Sequence, residues 1–495
     1  MEIAENGSAL VRNLNNYTPV QIPRHSRKLR LSPFLVWSLV LLTLLIALVR
    51  SLTNPVSGIL PGLGFLAFVK FLEPVALFVG LGLVGIRAVQ KRTSNVSIWT
   101  TYWLIGVGVV LGIGFLSALV WHTPLYYTWQ SLYFFLRPAL LFLLLRSLHW
   151  VVLDYLYLLK FIFVFGMANA VVTTYQQVVL WQSGQYFSAD AMIGLFNDAH
   201  QQATVSYVIV FLLLASRDIF RRRWQRGVWM VLIGLNVFAA YIAQAQKTTG
   251  FFIVVLVGAV FWLVLRRKKW LSRAVVATPL AVLFLLVVML AGWGGKLGER
   301  AFEATTGNFA DLVARRYGGV DWLADVGLVQ MFDDYSQRAI ANPVVLIVGL
   351  GPSNYGSPAS LTRVAKGDAE PWVRQFYFWE SLESDAQRII EGGGMRLAGL
   401  SAKTSVVGSS LGELGLLGFA AFAFLSLAPL GVTLPATWDP VQRTMLFWIK
   451  AAYLFILLQS ALSNLGTWDN DVAITLIMAG LAAFSHMNQQ EKIRG

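Results

Sequence analysis

The chain alternates long apolar stretches with short polar, mostly basic connections. An apolar stretch of roughly 17–25 residues is long enough to cross the hydrocarbon of a bilayer as a helix. Such stretches fall at 33–50, 72–90, 98–121, 128–147, 152–180, 202–219, 227–245, 248–266, 274–293, 404–430, 443–463 and 470–488. The pattern predicts an all-α polytopic membrane protein of about twelve transmembrane helices. Stretch 56–71 is also apolar, but Pro55, Pro61 and several glycines break it, so it reads as an interfacial or re-entrant piece.

One interval departs from the rhythm. Residues 294–403 are polar, and their positive and negative charges nearly balance. They predict a large, mostly helical domain between spans nine and ten. Val320, Leu323, Ala324, Leu328, Met331, Phe332 and Tyr335 fit an amphipathic helix over 320–340. Asn342-Pro343 ends it, and the glycine-rich turn Gly349-Leu350-Gly351-Pro352 follows. Residues 371–390 repeat the helical pattern with Trp372, Phe376, Trp379, Leu382, Ala386 and Ile389. Gly392, Gly393 and Gly394 then make a hinge back to the membrane.

Composition agrees with this picture. The chain is 57% hydrophobic and 13% charged, with a mean hydropathy of +0.63. A water-covered surface needs about a quarter of the residues charged. The net charge of +14 reads as topology rather than as a nucleic-acid footprint, because Lys and Arg collect on cytoplasmic loops. Arg12, Arg24, Arg27, Lys28 and Arg30 lie in the N-terminal arm, and Arg87, Lys91 and Arg92 follow the second span. Arg217, Arg221, Arg222, Arg223 and Arg226 follow the sixth, Arg266, Arg267, Lys268, Lys269 and Arg273 the eighth, and Lys492 and Arg494 close the chain. All fall on one side if about twelve crossings leave both termini in the cytoplasm.

The expected organisation is then a cytoplasmic arm at 1–32, spans at 33–293, a periplasmic domain at 294–403, spans at 404–488 and a cytoplasmic tail at 489–495. The first apolar stretch lacks a small-residue cleavage site and is read as a retained helix in a bacterial inner membrane. The absence of cysteine excludes disulfides, thiolate metal sites and a cysteine nucleophile.

No P-loop, HExxH, GxSxG or strand-linked GxGxxG occurs. The five histidines, at 25, 122, 149, 200 and 486, are scattered and form no metal-ligand spacing. What remains is a set of polar residues on the outer side. Lys247, in Gln244-Ala245-Gln246-Lys247-Thr248-Thr249-Gly250, is a lone cation between two spans. It suits a lipid-linked phosphate, or it snorkels from a helix end. Arg315, Arg316 and Arg338 flank the first long helix of the outer domain. Their guanidinium forks match a diphosphate, or else pair with Asp311 and Asp334. Arg137, beside Pro138 in the fourth span, needs a partner or a watery cavity. Asn169, Thr173, Thr174, Gln176 and Gln177 line a cavity or join helices. His200 and Asp198, in Asn197-Asp198-Ala199-His200, are candidate bases, or an exposed loop pair. Trp322, Tyr335, Tyr355, Trp372, Phe376, Tyr377, Phe378 and Trp379 offer ring faces to sugars, or form the core of the outer domain.

This layout resembles the O-antigen ligase and O-antigen polymerase superfamily over nearly the whole chain. The local matches are Asn342-Pro343 followed by Gly349-Leu350-Gly351, Glu413-Leu414-Gly415-Leu416-Leu417-Gly418 at the return to the membrane, and Lys247-Thr248-Thr249-Gly250 in the earlier outside turn. The resemblance implies a membrane glycosyltransferase that uses an undecaprenyl-pyrophosphate-linked oligosaccharide and needs no cofactor or metal. Lys247 with Arg315 or Arg316 would hold the pyrophosphate, aided by Arg338 and Arg137. Lys403, Thr404 and Glu413 would mark the acceptor region.

Ligases carry a histidine just before the Glu-x-Gly segment. Here Ser401-Ala402-Lys403-Thr404-Ser405 has none. That favours a repeat-unit polymerase and leaves the base open among His200, Asp198, Glu380, Glu383 and Asp385. Such a polymerase works on membrane lipid, with or without a chain-length regulator. The other readings are an O-antigen ligase, a peptidoglycan polymerase of the shape, elongation, division and sporulation family, and a polysaccharide transporter or flippase.

Overall fold

The computed structural model describes residues 37–42, 44–45, 49, 72–90, 98–147, 152–182, 194–196, 199–220, 222–243, 246–265, 335–355, 357, 359–360, 405–434, 440–462, 468 and 471–494. Among the described residues the secondary structure is helical, with no strand. We number the helices α1 (Leu72–Gln90), α2 (Ile98–Val120), α3 (Leu125–Ser147), α4 (Val152–Gln182), α5 (Ala199–Ala215), α6 (Arg223–Ile242), α7 (Gln246–Leu265), α8 (Pro343–Val348), α9 (Val406–Leu427), α10 (Pro440–Leu462) and α11 (Asp471–Arg494). Among the described residues, six helical stretches, in α2, α3, α4, α6, α10 and α9 with the turn that follows it, are long and apolar enough to cross a membrane. Four shorter apolar helices accompany them. The chain is therefore an all-α, multi-pass membrane protein. A helix closes its own backbone hydrogen bonds, which is what lipid demands of a spanning segment.

The predicted stretches from 72–90 to 248–266, and from 404–430 onward, coincide with helices. Stretch 33–50 is described only in part, and 274–293 lies outside the described residues. Boundaries shift where polar residues find partners in neighbouring helices. α5 begins at Ala199 rather than 202, because Gln202 hydrogen-bonds into α4 and His200 into α7.

Two helices form the centre. α5 and the 472–485 part of α11 are buried on nearly every face. They have no polar stripe because they have no wet side. α5 packs between α6 and α10, and α11 lies against α3, α10 and α4. α6 is peripheral and exposes Trp224, Met230, Val231 and Phe238, as a lipid-facing helix does. Directional bonds set registers: the Trp229 indole donates to Leu213 O (2.8 Å), and the Tyr453 hydroxyl to Ser426 O (2.7 Å).

The structure departs from the expected single span over 404–430. α9 is interrupted at Gly415, whose backbone turns to φ 65°, ψ −173° before the helix resumes. The cause is a close crossing. A side chain on Gly415 would run into Ile347 O and Gly349 N, and one on Gly349 into the Glu413 carbonyl and Gly415 N. Gly349 itself sits at φ 74°. Two glycines thus let the end of α8 pass against the backbone of α9.

Of the interval 294–403, the described part docks onto the bundle, with α8 packing on α9 and α2. The expected helix over 320–340 is described at 335–341. Asn342-Pro343 then starts a helix as well as ending one. The Asn342 side chain accepts from Val344 N (3.1 Å) and Pro343 takes the first turn, where its missing N–H is not needed. Helix 371–390 and the hinge at Gly392–Gly394 lie outside the described residues.

Candidate functional site

The turn after α8 wraps a buried carboxylate. Glu413, fully buried in α9, reaches toward residues 353–357. Its Oε2 accepts from the Ser353 backbone N–H (2.8 Å) and from the Ser131 hydroxyl of α3. Its Oε1 accepts from the N–H groups of Tyr355 (3.3 Å) and Ser357 (3.0 Å). Alternate N–H groups of an irregular turn converge on one anion, as in a backbone nest. Both oxygens are filled with donors. Glu413, expected in the acceptor region, therefore holds the turn in place.

The rest of the turn is anchored as firmly. Leu350 N donates to Gly412 O (2.7 Å), and the Trp121 indole to Gly349 O (2.9 Å). The Asn354 amide bridges Thr123 Oγ1 (3.0 Å) and Leu350 O (2.8 Å). The Tyr355 ring, fully buried, lies against Gly412 with Leu411, Val345, Leu350 and Tyr335 around it. Tyr335 and Tyr355 meet edge to face at 6.4 Å, so both belong to the core of this turn. The Tyr335 hydroxyl donates toward Val345 O and Leu346 O (3.3 Å each), and burial pushes its phenol up to about 12, so it stays a neutral donor. A Cβ at Gly412 would overlap the rigid Tyr355 ring. Gly412→Ala is expected to destabilise the protein by about 1–3 kcal/mol through overpacking. Thermal unfolding of the detergent-purified protein checks it, and an unchanged midpoint would show that the ring can move aside.

A second polar group joins α5, α7 and α10. His200 Nδ1 lies 3.1 Å from Thr248 Oγ1, which accepts from Gln459 Nε2 (2.6 Å). Thr204 Oγ1 reaches Gln459 Oε1 (3.5 Å), and the Tyr207 and Thr249 hydroxyls are 2.8 Å apart. Lys247 lies in the first turn of α7, which begins at Gln246, and its side chain is outside the described residues. His200 and the Lys247-Thr248-Thr249 segment are thus neighbours, although no motif links them in sequence.

Asn169 and Thr173 join α4 to α5, and Gln176 joins α4 to the 194–196 turn. Gln202 receives the Asn169 amide and donates to Thr173 Oγ1 (3.0 Å). Asn169 Oδ1 accepts from Leu195 N (2.9 Å), and Gln176 Oε1 from Gly194 N (2.9 Å). Thr174 bonds back to Ala170 O in its own helix (2.8 Å).

Arg137 has a partner that the sequence alone did not single out. Its Nε and Nη2 each lie 2.8 Å from Oε1 of Glu73 at the start of α1, with both side chains almost fully buried. Arg338 lies half-buried in the helical stretch 335–341. Asp198, Arg315, Arg316, Glu380, Glu383, Asp385, Lys403 and Thr404 lie outside the described residues. Glu73, Ser131, Trp121, Thr123, Asn354 and Gln459 were missed. Only Glu73 carried a signal, as an acid at the head of an apolar stretch matching the base in another.

No protein-family model matches the chain, and no curated protein matches it significantly.

Proposed function

We propose that the protein is a membrane glycosyltransferase that polymerises lipid-linked oligosaccharide repeat units of an O-antigen, capsule or exopolysaccharide. One observation carries the reading. The two late segments on which the resemblance rests, Asn342–Gly351 and Glu413–Gly418, pack on each other through Gly349, Gly415 and the Glu413 carboxylate.

On this reading the chain crosses the inner membrane about twelve times with both termini in the cytoplasm, and 294–403 is periplasmic, an arrangement that puts every basic cluster on one side. Lys247, Arg315, Arg316 and Arg338 stabilise the charge that develops on the departing polyprenyl diphosphate. Lys403 and Thr404 flank the acceptor, and a base drawn from His200, Asp198 or Glu383 takes the acceptor proton. The diphosphate is already a good leaving group, so cations and a base suffice.

The interruption of α9 is the observation that favours a transporter, since discontinuous helices line transport sites. Here the 349–357 turn fills the break. Deleting the gene and separating the host's surface and lipid-linked glycans on a gel tests both readings. A polymerase predicts that long chains vanish while single repeat units persist, and that Lys247→Ala or Arg316→Ala fails to restore them. Long chains stranded on the carrier lipid would mean a ligase. Repeat units trapped on the cytoplasmic face would mean a transporter.

A further inference from the structure

α8 exposes a run of apolar side chains where a water-facing domain would carry charge. Val344, Leu346 and Ile347 are all exposed, as is Ile340 just before the helix. Between Arg338 and Arg363 the chain has no charged residue, although the 294–403 interval around it is rich in them. Large apolar side chains gathered on one exposed surface mark a surface that meets something other than water.

The depth of α8 says what covers it. α9 runs antiparallel to α2: a Cβ on Gly106 would meet Leu425, and one on Gly418 would meet Ile113. The same register sets Leu411 opposite Val120, where the apolar span of α2 ends. Bonds at that level agree, since Leu350 N donates to Gly412 O and the Trp121 indole to Gly349 O. Gly415, against which the end of α8 crosses, lies four residues further along α9. At a helical rise of about 1.5 Å per residue, the crossing is about 6 Å inside the end of the α2 span. Leu116 of α2 and Leu416 and Leu417 of α9 lie near the same level and are exposed, as lipid-facing side chains are.

The backbone obeys the rule for that depth. Irregular chain is tolerated within hydrocarbon only where protein covers it. The irregular turn 349–355 is buried throughout, and the exposed part is helical α8. At the start of that helix Pro343 has no N–H to satisfy, and Asn342 O accepts from Val345 N (3.0 Å).

We propose that α8 is a re-entrant piece of the 294–403 interval, and that Val344, Leu346 and Ile347 lie against the acyl chains of the surrounding lipid. The partner is bilayer hydrocarbon, entered from the side on which α2 ends. The proposal needs only a multi-pass protein and stands apart from the polymerase reading. On that reading it adds a consequence: the 349–357 turn is held at headgroup depth, level with the diphosphate of a lipid-linked donor.

The chain has no cysteine, so one introduced cysteine gives one labelled site. Val344→Cys, Leu346→Cys and Ile347→Cys each receive a nitroxide, and the full-length protein is placed in vesicles of phosphatidylethanolamine and phosphatidylglycerol. Val109→Cys, exposed midway along α2, is the lipid reference. Asp218→Cys, exposed between α5 and α6, is the water reference. Collision with oxygen, which concentrates in hydrocarbon, is compared with collision with a water-soluble nickel chelate. The oxygen-to-nickel ratio at 344, 346 and 347 is expected to match that at 109 and to exceed that at 218 by about tenfold, because a polar chelate is excluded from hydrocarbon. A ratio at the level of 218 would overturn the proposal. So would exclusion of both reagents, which would mean that another part of this chain or a second copy covers the face. Ile347→Asp gives a reading without a label: a carboxylate in hydrocarbon is costly, so the thermal midpoint in the same vesicles is expected to fall. An unchanged midpoint would overturn the proposal as well. Neither failure touches the polymerase reading, which the glycan gel tests separately.

Discussion

Glu413→Gln is expected to loosen the 349–357 turn and to lower the thermal midpoint of the purified protein. The substitution keeps the size of the side chain and changes only its chemistry. The carboxylate accepts from three backbone N–H groups and one hydroxyl, and all four donors point at its two oxygens. A glutamine replaces one acceptor oxygen with an NH2 donor, which then faces backbone N–H groups that cannot turn away. Hydrogen bonds to a charged group contribute about 1.5–3 kcal/mol each. Breaking a buried charged network costs about 3–5 kcal/mol, which is the expected loss. Limited proteolysis should also find new cleavage within 349–360, because the turn has lost the anion around which it is built. If the protein is the polymerase proposed above, long glycan chains are lost with it. A variant with an unchanged midpoint and a protected turn would mean that the anchors from Trp121 and Asn354 hold the turn unaided.

The second large effect is expected at the Arg137–Glu73 pair. Either Arg137→Leu or Glu73→Leu alone leaves one charge in the bundle without its counter-ion, at a cost of about 3–5 kcal/mol. The double variant should recover most of that loss, since two apolar side chains of similar volume suit a buried site as well as an ion pair does. Denaturant or thermal unfolding of the four proteins gives the coupling. Additive losses would contradict the pairing. The double variant also decides a question of function. On the proposed polymerase reading, a stable double variant that still supports long chains means that Arg137 serves the fold, and a stable one that has lost chain growth means that Arg137 also reaches the donor diphosphate.

Much of the helical layout could be read from the chain. Apolar length alone placed helices at α1, α2, α4 and α7, because a membrane leaves few alternatives to a long apolar run. The interruption at Gly415 could not be read this way. Glu413-Leu414-Gly415-Leu416-Leu417-Gly418 lies in the apolar run 404–430 on any hydropathy measure, and nothing local says which glycine breaks it. The break depends on the backbone of Gly349, far away in sequence, passing against it. The polar candidates divided in the same way. Asn169, Thr173 and Gln176 stood out in the sequence as polar residues that line a cavity or join helices, but their partners Gln202, Gly194 and Leu195 did not.

The sequence by itself determined that this is a helical membrane protein, because a chain 57% hydrophobic and 13% charged has too few charges to cover a surface in water. It also determined where most helices run, since that follows from the length of each apolar stretch. Only the tertiary structure decided which polar residues meet: Glu413 with Ser131 and the 353–357 turn, Arg137 with Glu73, and His200 with Thr248 and Gln459. Apolar burial is non-directional and can be read one helix at a time. A hydrogen bond or ion pair requires two atoms at a fixed distance, and that distance exists only once the helices have packed.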